Sequence, residues 1–214
     1  MKHQQDVEEY LATQDPILGS LIDKYGKCPF LDDDNDDPDL FDRLASSIIG
    51  QQLSTKAASS IRATLLEQAR GTTFSPAFFL SATIHDLRSY GLSAAKARTL
   101  QDVSVRVQSN PDFLKGMDQK GPEDVAALLC EIKGIGPWTA KMFQIFALRR
   151  LDVFAPEDAG LMRGIRITYL NEHDLEHPSI LAITRRWAPY RSIGAWYMWQ
   201  VANAQSRIRI APVN

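Results

Sequence analysis

Two closely spaced glycines, followed by a proline and later by an aspartate, form the part of this sequence best suited to chemistry. Gly134-Ile135-Gly136-Pro137-Trp138 predicts a tight hairpin between two helices, because glycine tolerates a sharp turn and proline fits the first turn of a helix. The N–H groups at such a helix start bind anions. Asp158 follows Pro156-Glu157 at what reads as another helix start. A phosphate-binding hairpin together with one carboxylate indicates chemistry on nucleic acid.

The hairpin has two interpretations. A glycine-x-glycine turn between helices is common as plain helix packing. This turn is very short, however, and Thr139 adds a hydroxyl to the N–H groups that Gly134 and Gly136 offer to a phosphate. These additions favour phosphate binding over a purely structural turn.

Asp158 is suited to stabilising positive charge. Cleavage of an N-glycosidic bond builds positive charge on the sugar, and a fixed carboxylate beside that carbon stabilises it and orients or deprotonates the attacking water. The N-terminus of a helix favours a negative charge. Asp158 is equally suited to cap the helix that follows it. The two roles are compatible.

Composition limits the function classes. The 214 residues, 44% hydrophobic and 23% charged, are typical of one large domain or two small lobes. No apolar run is long enough for a membrane span and no signal-peptide core begins the chain, so we expect the cytosol or nucleoid, or a nucleus. The two cysteines, Cys28 and Cys130, exclude a disulfide framework and any four-cysteine zinc or iron–sulfur site. We expect the Cys130 side chain in the core. The four histidines are scattered, and although His173 and His177 are four residues apart, we expect no transition-metal site.

The charges are distributed unevenly along the chain. Residues 1–107 carry 11 basic and 15 acidic side chains, whereas residues 133–214 carry 11 basic and 6 acidic ones. The basic surplus therefore coincides with the hairpin and the part that follows it, as expected of a DNA-binding face. The acidic run at 32–37 predicts a solvated loop away from any DNA.

The elements that must position these residues read as helices throughout. Apolar residues recur at helical spacing at 40–48, 58–65 and 138–146, and Ser54, Ser75 and Ser93 stand where N-caps are expected. No stretch as long as a strand alternates between apolar and polar residues, and no repeat or low-complexity linker appears. We therefore predict an all-α, two-lobed protein, with lobe one at 40–150 and lobe two formed by 1–39 plus 151–214.

The order of these motifs resembles the helix-hairpin-helix DNA glycosylase superfamily. The resemblance runs from about Leu40 to Gln205 and includes the segments 47–54 (SIIGQQLS), 91–97 (GLSAAKA), 132–140 (IKGIGPWTA), 153–158 (VFAPED) and 189–192 (PYRS). The GPWTA version of the hairpin is similar to the 3-methyladenine DNA glycosylase II branch, which removes alkylated bases. The resemblance implies base excision repair of alkylated purines in duplex DNA. It also implies a monomeric enzyme that flips the base into a cleft between the lobes.

The resemblance also implies the type of reaction. Asp158 matches the catalytic acid of the family. Trp138 stands where strand-cutting relatives carry a lysine nucleophile, which implies a monofunctional glycosylase, although Lys141 lies three residues later. No second acid stands at a signature position. A cationic alkylated purine leaves without being protonated and requires none.

Three residues are candidates for the base pocket. Trp199 matches the aromatic that stacks on the flipped base, and an indole face attracts a cationic base. Trp138 is expected to form another wall. Met142 stands where the bacterial relative has a tyrosine, which leaves the shape of the pocket and the preferred lesion open.

The hole left by a flipped base must be filled by the protein. Gln52 matches the residue that fills it, and Gln51 and Leu53 are competing candidates. An ordinary polar loop between helices is the alternative interpretation of these residues. The resemblance further implies that a monovalent cation, Na⁺ or K⁺, is held beneath the hairpin by backbone carbonyls, those of Cys130, Ile132 and Ile135. No other cofactor is expected.

Two other functions fit the same fold. The first is a non-catalytic protein that recognises damaged DNA, against which Asp158 argues. The second is a glycosylase for a deaminated or oxidised base, which Met142 leaves open.

Overall fold

The helical periodicity of the sequence produces twelve α-helices in the part of the chain that the structure describes. The computed structural model describes residues 2–31, 39–169 and 177–208, without the side chains of 2–5, 177–179 and 205–208. No strand occurs among these residues, so the all-α prediction is confirmed. The predicted acidic loop at 32–37 and His173 lie outside the described residues, as does the side chain of His177.

The helices range in length from six to eighteen residues. In chain order they are α1 (Lys2–Gln14), α2 (Pro16–Tyr25), α3 (Leu40–Gly50), α4 (Thr55–Ala69), α5 (Pro76–Ser81), α6 (Ile84–Ser89), α7 (Ala94–Ser109), α8 (Pro122–Cys130), α9 (Pro137–Phe146), α10 (Ala159–Tyr169), α11 (His177–Arg185) and α12 (Arg191–Ile208). Two of the predicted caps are present, since Ser54 and Ser93 accept the N–H groups of Ala57 and Lys96. Ser75 also stands at the N-cap position of α5, but its side chain makes no capping hydrogen bond. None of the described helices has the length and apolar character needed to cross a membrane.

The chain divides into two compact units. The central unit is Asp36–Leu148, and the split unit combines Met1–Asn35 with Arg149–Asn214. The sequence places the corresponding boundaries near 40 and 150. The hairpin and the loop after α3 belong to the central unit, whereas Asp158 and Trp199 belong to the split unit.

The central unit has its own apolar core, built from the inward faces of its helices. Its fully buried members include Leu44, Ile48, Phe79, Leu100, Leu129 and Phe143. One carboxylate, Asp42, lies at the edge of this core. It accepts the Arg62 guanidinium on both oxygens at 2.9 Å and the Phe74 N–H at 2.9 Å. The buried charge is thus matched by donors.

The split unit has a second core. Its fully buried members include Leu11, Leu18, Leu161, Ile165, Trp187 and Tyr197. Asp15 is the N-cap of α2 and is completely buried. Its Oδ2 accepts the Tyr169 hydroxyl at 3.0 Å and the Trp187 indole N–H at 3.1 Å. Burial and the neighbouring Asp15 charge raise the pKa of Tyr169, so its hydroxyl stays protonated and donates.

Candidate functional site

The hairpin joins α8 to α9, and its two glycines have different reasons to be glycine. Gly134 has φ +95°, and a Cβ built there lies 2.0 Å from Thr99 Oγ1, so no other residue fits. Gly136 is the N-cap of α9, has φ −108° and gives α9 no side-chain cap. A Cβ at Gly136 meets no atom within 4 Å. Gly134 is required by the turn, whereas Gly136 keeps the start of α9 uncrowded, as an anion site needs.

Four side chains form one hydrogen-bonded set around the hairpin, and we call them the hairpin bracket: Gln51, Lys96, Thr99 and Thr139. Gln51 Nε2 donates to Gly134 O at 2.9 Å and to Thr139 Oγ1 at 2.8 Å. Thr99 Oγ1 donates to Lys133 O at 2.9 Å. The bracket therefore engages two successive carbonyls of the turn.

Lys96 extends the bracket to the end of α3. Its ammonium donates to Ile49 O at 2.8 Å and to Gln51 O at 2.7 Å, where a cation suits the last carbonyls of a helix. Burial lowers the pKa of Lys96 below its ordinary value. Lys96 and Thr99 lie on α7, so α7 supports both the hairpin and the loop after α3.

The bracket changes the interpretation of two predicted DNA contacts. Thr139 is only 2% exposed, and its hydroxyl oxygen accepts a hydrogen bond from the side-chain amide of Gln51. This corrects the expectation that Thr139 presents its hydroxyl to a phosphate. The side-chain amide of Gln51 likewise bonds the hairpin, so Gln51 would have to break two hydrogen bonds before it could enter DNA.

The loop after α3, residues 51–54, presents the other two candidates at its tip. Gln52 is exposed and has φ +55°, which turns the chain so that its neighbour Gln51 faces the hairpin. Leu53 is 39% exposed at the same tip. Gln52 and Leu53 therefore remain the candidates for the residue that enters DNA.

Two of the pocket candidates lie one turn apart on α9. Trp138 is half-buried and Met142 is almost fully buried, and their i, i+4 spacing places them on one face of the helix. Lys141 is half-buried on the same helix. The third candidate, Trp199, lies on α12 in the split unit.

Asp158 immediately precedes α10 and caps it. Its Oδ1 accepts the Leu161 N–H at 2.6 Å and its carbonyl accepts the Met162 N–H at 2.9 Å. The same Oδ1 accepts the indole Nε1–H of Trp199 at 2.8 Å. Asp158 is only half-buried. Protein donors thus hold one carboxylate oxygen of a residue that small molecules can still reach.

The segment that leads to Asp158 is tied to the start of α12. Ser192 Oγ donates to Arg150 O at 2.6 Å and accepts the Val153 N–H at 3.0 Å. Arg191 binds Asp152 through Nε at 2.6 Å and Nη2 at 3.0 Å. Burial raises the pKa of Asp152, but the hydrogen bonds and charge of Arg191 outweigh burial, and the pKa lies below its ordinary value. These bonds give a physical reason for the Arg191-Ser192 pair in the sequence.

The carbonyls named for a monovalent cation lie at the end of α8 and in the turn. The Ile132 carbonyl accepts the Ile135 N–H at 3.0 Å, and a carbonyl with one hydrogen bond keeps a lone pair for a cation. The residues are thus compatible with a cation, which stays a prediction. The side chain of Cys130 is exposed, so the expectation of a core cysteine is wrong. At the last residue of α8, the side chain points away from the apolar stripe.

Sequence reasoning missed the roles of three groups. Lys96 lies within the segment 91–97 and Thr99 lies two residues after it, but their residue types do not indicate which carbonyls they bind. The indole bond to Asp158 also requires the fold, since Trp199 lies 41 residues further along the chain. The resemblance marked these segments without giving these contacts.

Comparison with known proteins gives a consistent result. The chain is 28% identical over 235 positions to the DNA-3-methyladenine glycosylase of Saccharomyces cerevisiae, covering 92% of this chain and 79% of the yeast protein. The crystal structure of a DNA-3-methyladenine glycosidase from Bacillus halodurans matches with a TM-score of 0.72 and 32% identity, over 93% of this chain and 90% of that one.

A third similar protein is the 3-methyladenine DNA glycosylase of Schizosaccharomyces pombe, whose structure was solved with abasic DNA. It matches with a TM-score of 0.78 and 26% identity, over 91% of this chain and 95% of that one. The family model of HhH-GPD superfamily base excision DNA repair proteins matches residues 45–189, more than half of the chain. The predicted resemblance is confirmed, and this protein belongs to the HhH-GPD superfamily of base excision DNA repair proteins.

Proposed function

We propose that this protein is a monofunctional DNA glycosylase that hydrolyses the N-glycosidic bond of alkylated purines in duplex DNA. Substrates are bases of the 3-methyladenine and 7-methylguanine type, and the similar proteins are named for their action on 3-methyladenine. The observation that carries the reaction is the half-buried Asp158 carboxylate at the start of α10. The enzyme acts as a monomer where the DNA lies, in a nucleoid or a nucleus.

The carboxylate matches the charge that the reaction creates. The C1′–N bond breaks with its electron pair moving to the base, so a cationic alkylated purine leaves neutral and the sugar becomes cationic. Asp158 stabilises that cation, water adds its oxygen to C1′, and the proton of that water passes to the carboxylate or to solvent. No acid is needed for the leaving group. Asp158 alone therefore suffices as the catalytic side chain.

The hairpin binds the DNA backbone. The N–H groups around Gly134 and Gly136 contact one phosphate, and a monovalent cation on the carbonyls of Cys130, Ile132 and Ile135 strengthens this contact. The bracket orients these groups by engaging the carbonyls of Lys133 and Gly134 on the opposite side of the peptides. The contact is independent of sequence, as an enzyme that searches DNA for rare lesions requires.

The extrahelical base is recognised by aromatic and apolar walls. Trp138, Met142 and Trp199 are the residues proposed to contact the base, and cation–π attraction between the indole face of Trp199 and a cationic base contributes about 0.5–2 kcal/mol. Gln52 or Leu53 enters the duplex from the loop after α3 and replaces the flipped base. A glutamine there also hydrogen-bonds the orphaned partner base.

The test is excision from duplexes that each contain one defined lesion. Wild type, Asp158→Asn and Glu157→Gln are incubated under single-turnover conditions with duplexes bearing 7-methylguanine, hypoxanthine or 8-oxoguanine, and alkali then cleaves at abasic sites. We expect excision of 7-methylguanine by wild type and a roughly 10²–10⁴-fold slower rate in Asp158→Asn. Glu157→Gln removes the neighbouring exposed acid and should stay within a few-fold of wild type.

Three results contradict the proposal. Binding of damaged duplex without excision of any lesion indicates a damage-recognition protein. Excision of 8-oxoguanine or hypoxanthine in preference to 7-methylguanine indicates another substrate class. An Asp158→Asn rate within a few-fold of wild type removes Asp158 from the chemistry.

A further inference from the structure

The indole of Trp199 is a second fixed donor on the catalytic carboxylate. Asp158 Oδ1 accepts the Leu161 N–H at 2.6 Å and the Trp199 Nε1–H at 2.8 Å. A single donor at an N-cap leaves a carboxylate free to rock about its last torsion, which is soft. Two donors from different helices on the same oxygen fix that torsion, and with it the direction of the second oxygen.

The close packing of α10 and α12 brings Trp199 to this position. A Cβ built on Gly164 lies 2.1 Å from Met198 O, so only glycine allows α12 to approach α10 this closely. Met198 is the residue before Trp199. A Cβ built on Gly160 lies 3.2 Å from Asp158 Oδ1 and 3.3 Å from Trp199 Cδ1, so the indole and the carboxylate meet directly over the first turn of α10.

We propose that Trp199 is a positioning residue for Asp158, and that its N–H aims the carboxylate at the sugar whatever base is being removed. This inference rests on the proposed function. It differs from recognition of the base, because the indole N–H acts on Asp158 whereas the indole face acts on the base. The two roles belong to different parts of the same side chain and can be separated by substitution.

Trp199→Phe keeps an aromatic face and removes the N–H. Single-turnover excision should slow by roughly 10- to 100-fold, the scale of a lost hydrogen bond to a charged group. The factor should be the same for 7-methylguanine and hypoxanthine, and the dissociation constant for an abasic duplex should not change. Trp199→Leu also removes the aromatic face and should add a further loss that is larger for 7-methylguanine than for hypoxanthine. Trp196→Phe, a half-buried control on the same helix, should retain the wild-type rate.

A double-mutant cycle separates positioning from packing. In the Asp158→Asn background, Trp199→Phe should slow the residual excision no further, because no catalytic carboxylate is left to aim. Equal fold-losses in both backgrounds would show that Trp199 acts independently of Asp158 and overturn the proposal. A Trp199→Phe loss confined to 7-methylguanine also overturns it.

A spectroscopic measurement tests the bond without relying on activity. The chain has four tryptophans, so isotope-labelled tryptophan gives four indole N–H signals. Asp158→Asn should shift one of them, the same signal that is absent in Trp199→Phe. If wild type excises no lesion, the proposed function fails while this signal still reports the bond. If Asp158→Asn leaves all four signals in place, the bond itself is absent and the positioning role is wrong.

Discussion

Asp158 and Asp15 show how surroundings decide the role of one residue type. Both stand immediately before a helix and cap it, and each accepts an indole N–H, from Trp199 and Trp187 respectively. Asp15 is 0% exposed and also accepts the Tyr169 hydroxyl, so it holds the fold together. Asp158 is half-buried, so a sugar and a water can reach it. Exposure distinguishes the candidate catalyst from the structural cap.

At the same scale, the residue types on α9 predict that the enzyme does not cut the strand. Trp138 offers no amine where a lysine nucleophile is expected. Borohydride added during reaction with a 7-methylguanine duplex should therefore trap no covalent protein–DNA adduct on a denaturing gel. An adduct in wild type that disappears in Lys141→Met would show instead that Lys141 acts as the nucleophile.

The two neighbouring glutamines mark the limit of prediction from residue type. Gln51 and Gln52 have the same chemistry, and the sequence alone ranks Gln52 first only through the family resemblance. Their difference comes from the backbone, since φ +55° at Gln52 sends the two side chains in different directions. Gln51 then finds Gly134, which is 83 residues away in the chain. No local pattern contains that contact.

At the scale of elements, the hairpin gives a matched pair of glycine substitutions. Gly134→Ala forces a side chain into left-handed backbone and against Thr99. It should lower the free energy of unfolding by about 2 kcal/mol or more. Gly136→Asp places a good N-cap at the start of α9, in open space, and should keep or raise stability.

DNA binding by the same two variants is measured by fluorescence anisotropy at several salt concentrations. Gly136→Asp sets a negative charge against the phosphate. It should weaken binding to damaged and undamaged duplexes alike and reduce the slope of log K against log salt by about one. A loss confined to damaged duplex would place Gly136 in lesion recognition instead.

The loop after α3 offers a second matched pair of substitutions, at Gln51 and Gln52. Gln51→Leu removes the donor to Gly134 O and Thr139 Oγ1. It should therefore lower the free energy of unfolding by about 1–3 kcal/mol and weaken binding to every duplex. Gln52→Ala changes an exposed tip, so stability should stay within about 0.5 kcal/mol while excision slows. Thermal melts and single-turnover rates measure both. Equal loss of stability in the two variants would contradict the bracket.

Helices are predicted more completely than the contacts between them. The periodicity of apolar residues and the serine caps at Ser54 and Ser93 locate α4 and α7 without any tertiary information. The start of α2 after Asp15-Pro16 has the same kind of local signature. The approach of α12 to α10 at Gly164 has none, because a glycine within a helix indicates close packing only once the neighbour is known.

At the scale of the molecule, each unit has its own core and its own buried carboxylate. The core around Leu44 and Phe143 and the core around Leu161 and Trp187 share no members. Asp42 is the buried carboxylate beside the first core, and Asp15 is the one beside the second. The predicted cleft between the lobes stays a prediction.

Separate cores predict that damage to one core is felt mainly in its own unit. Asp42→Asn places an amide N–H against donors from Arg62 or Phe74. It should destabilise the central unit by about 2–3 kcal/mol, below the cost for a fully buried pair because Arg62 is one-third exposed. Glu131→Gln, which breaks the exposed pair with Arg106, should change stability by no more than about 0.5 kcal/mol.

Native-state hydrogen exchange resolves where the Asp42→Asn effect falls. The slowest amides of α3, α7 and α9 should exchange faster by the full loss of stability, roughly 30- to 150-fold for 2–3 kcal/mol. The slowest amides of α10 and α12 should keep most of their protection, because the core that shields them is intact. Equal acceleration in both sets would mean that the two cores open in a single cooperative step.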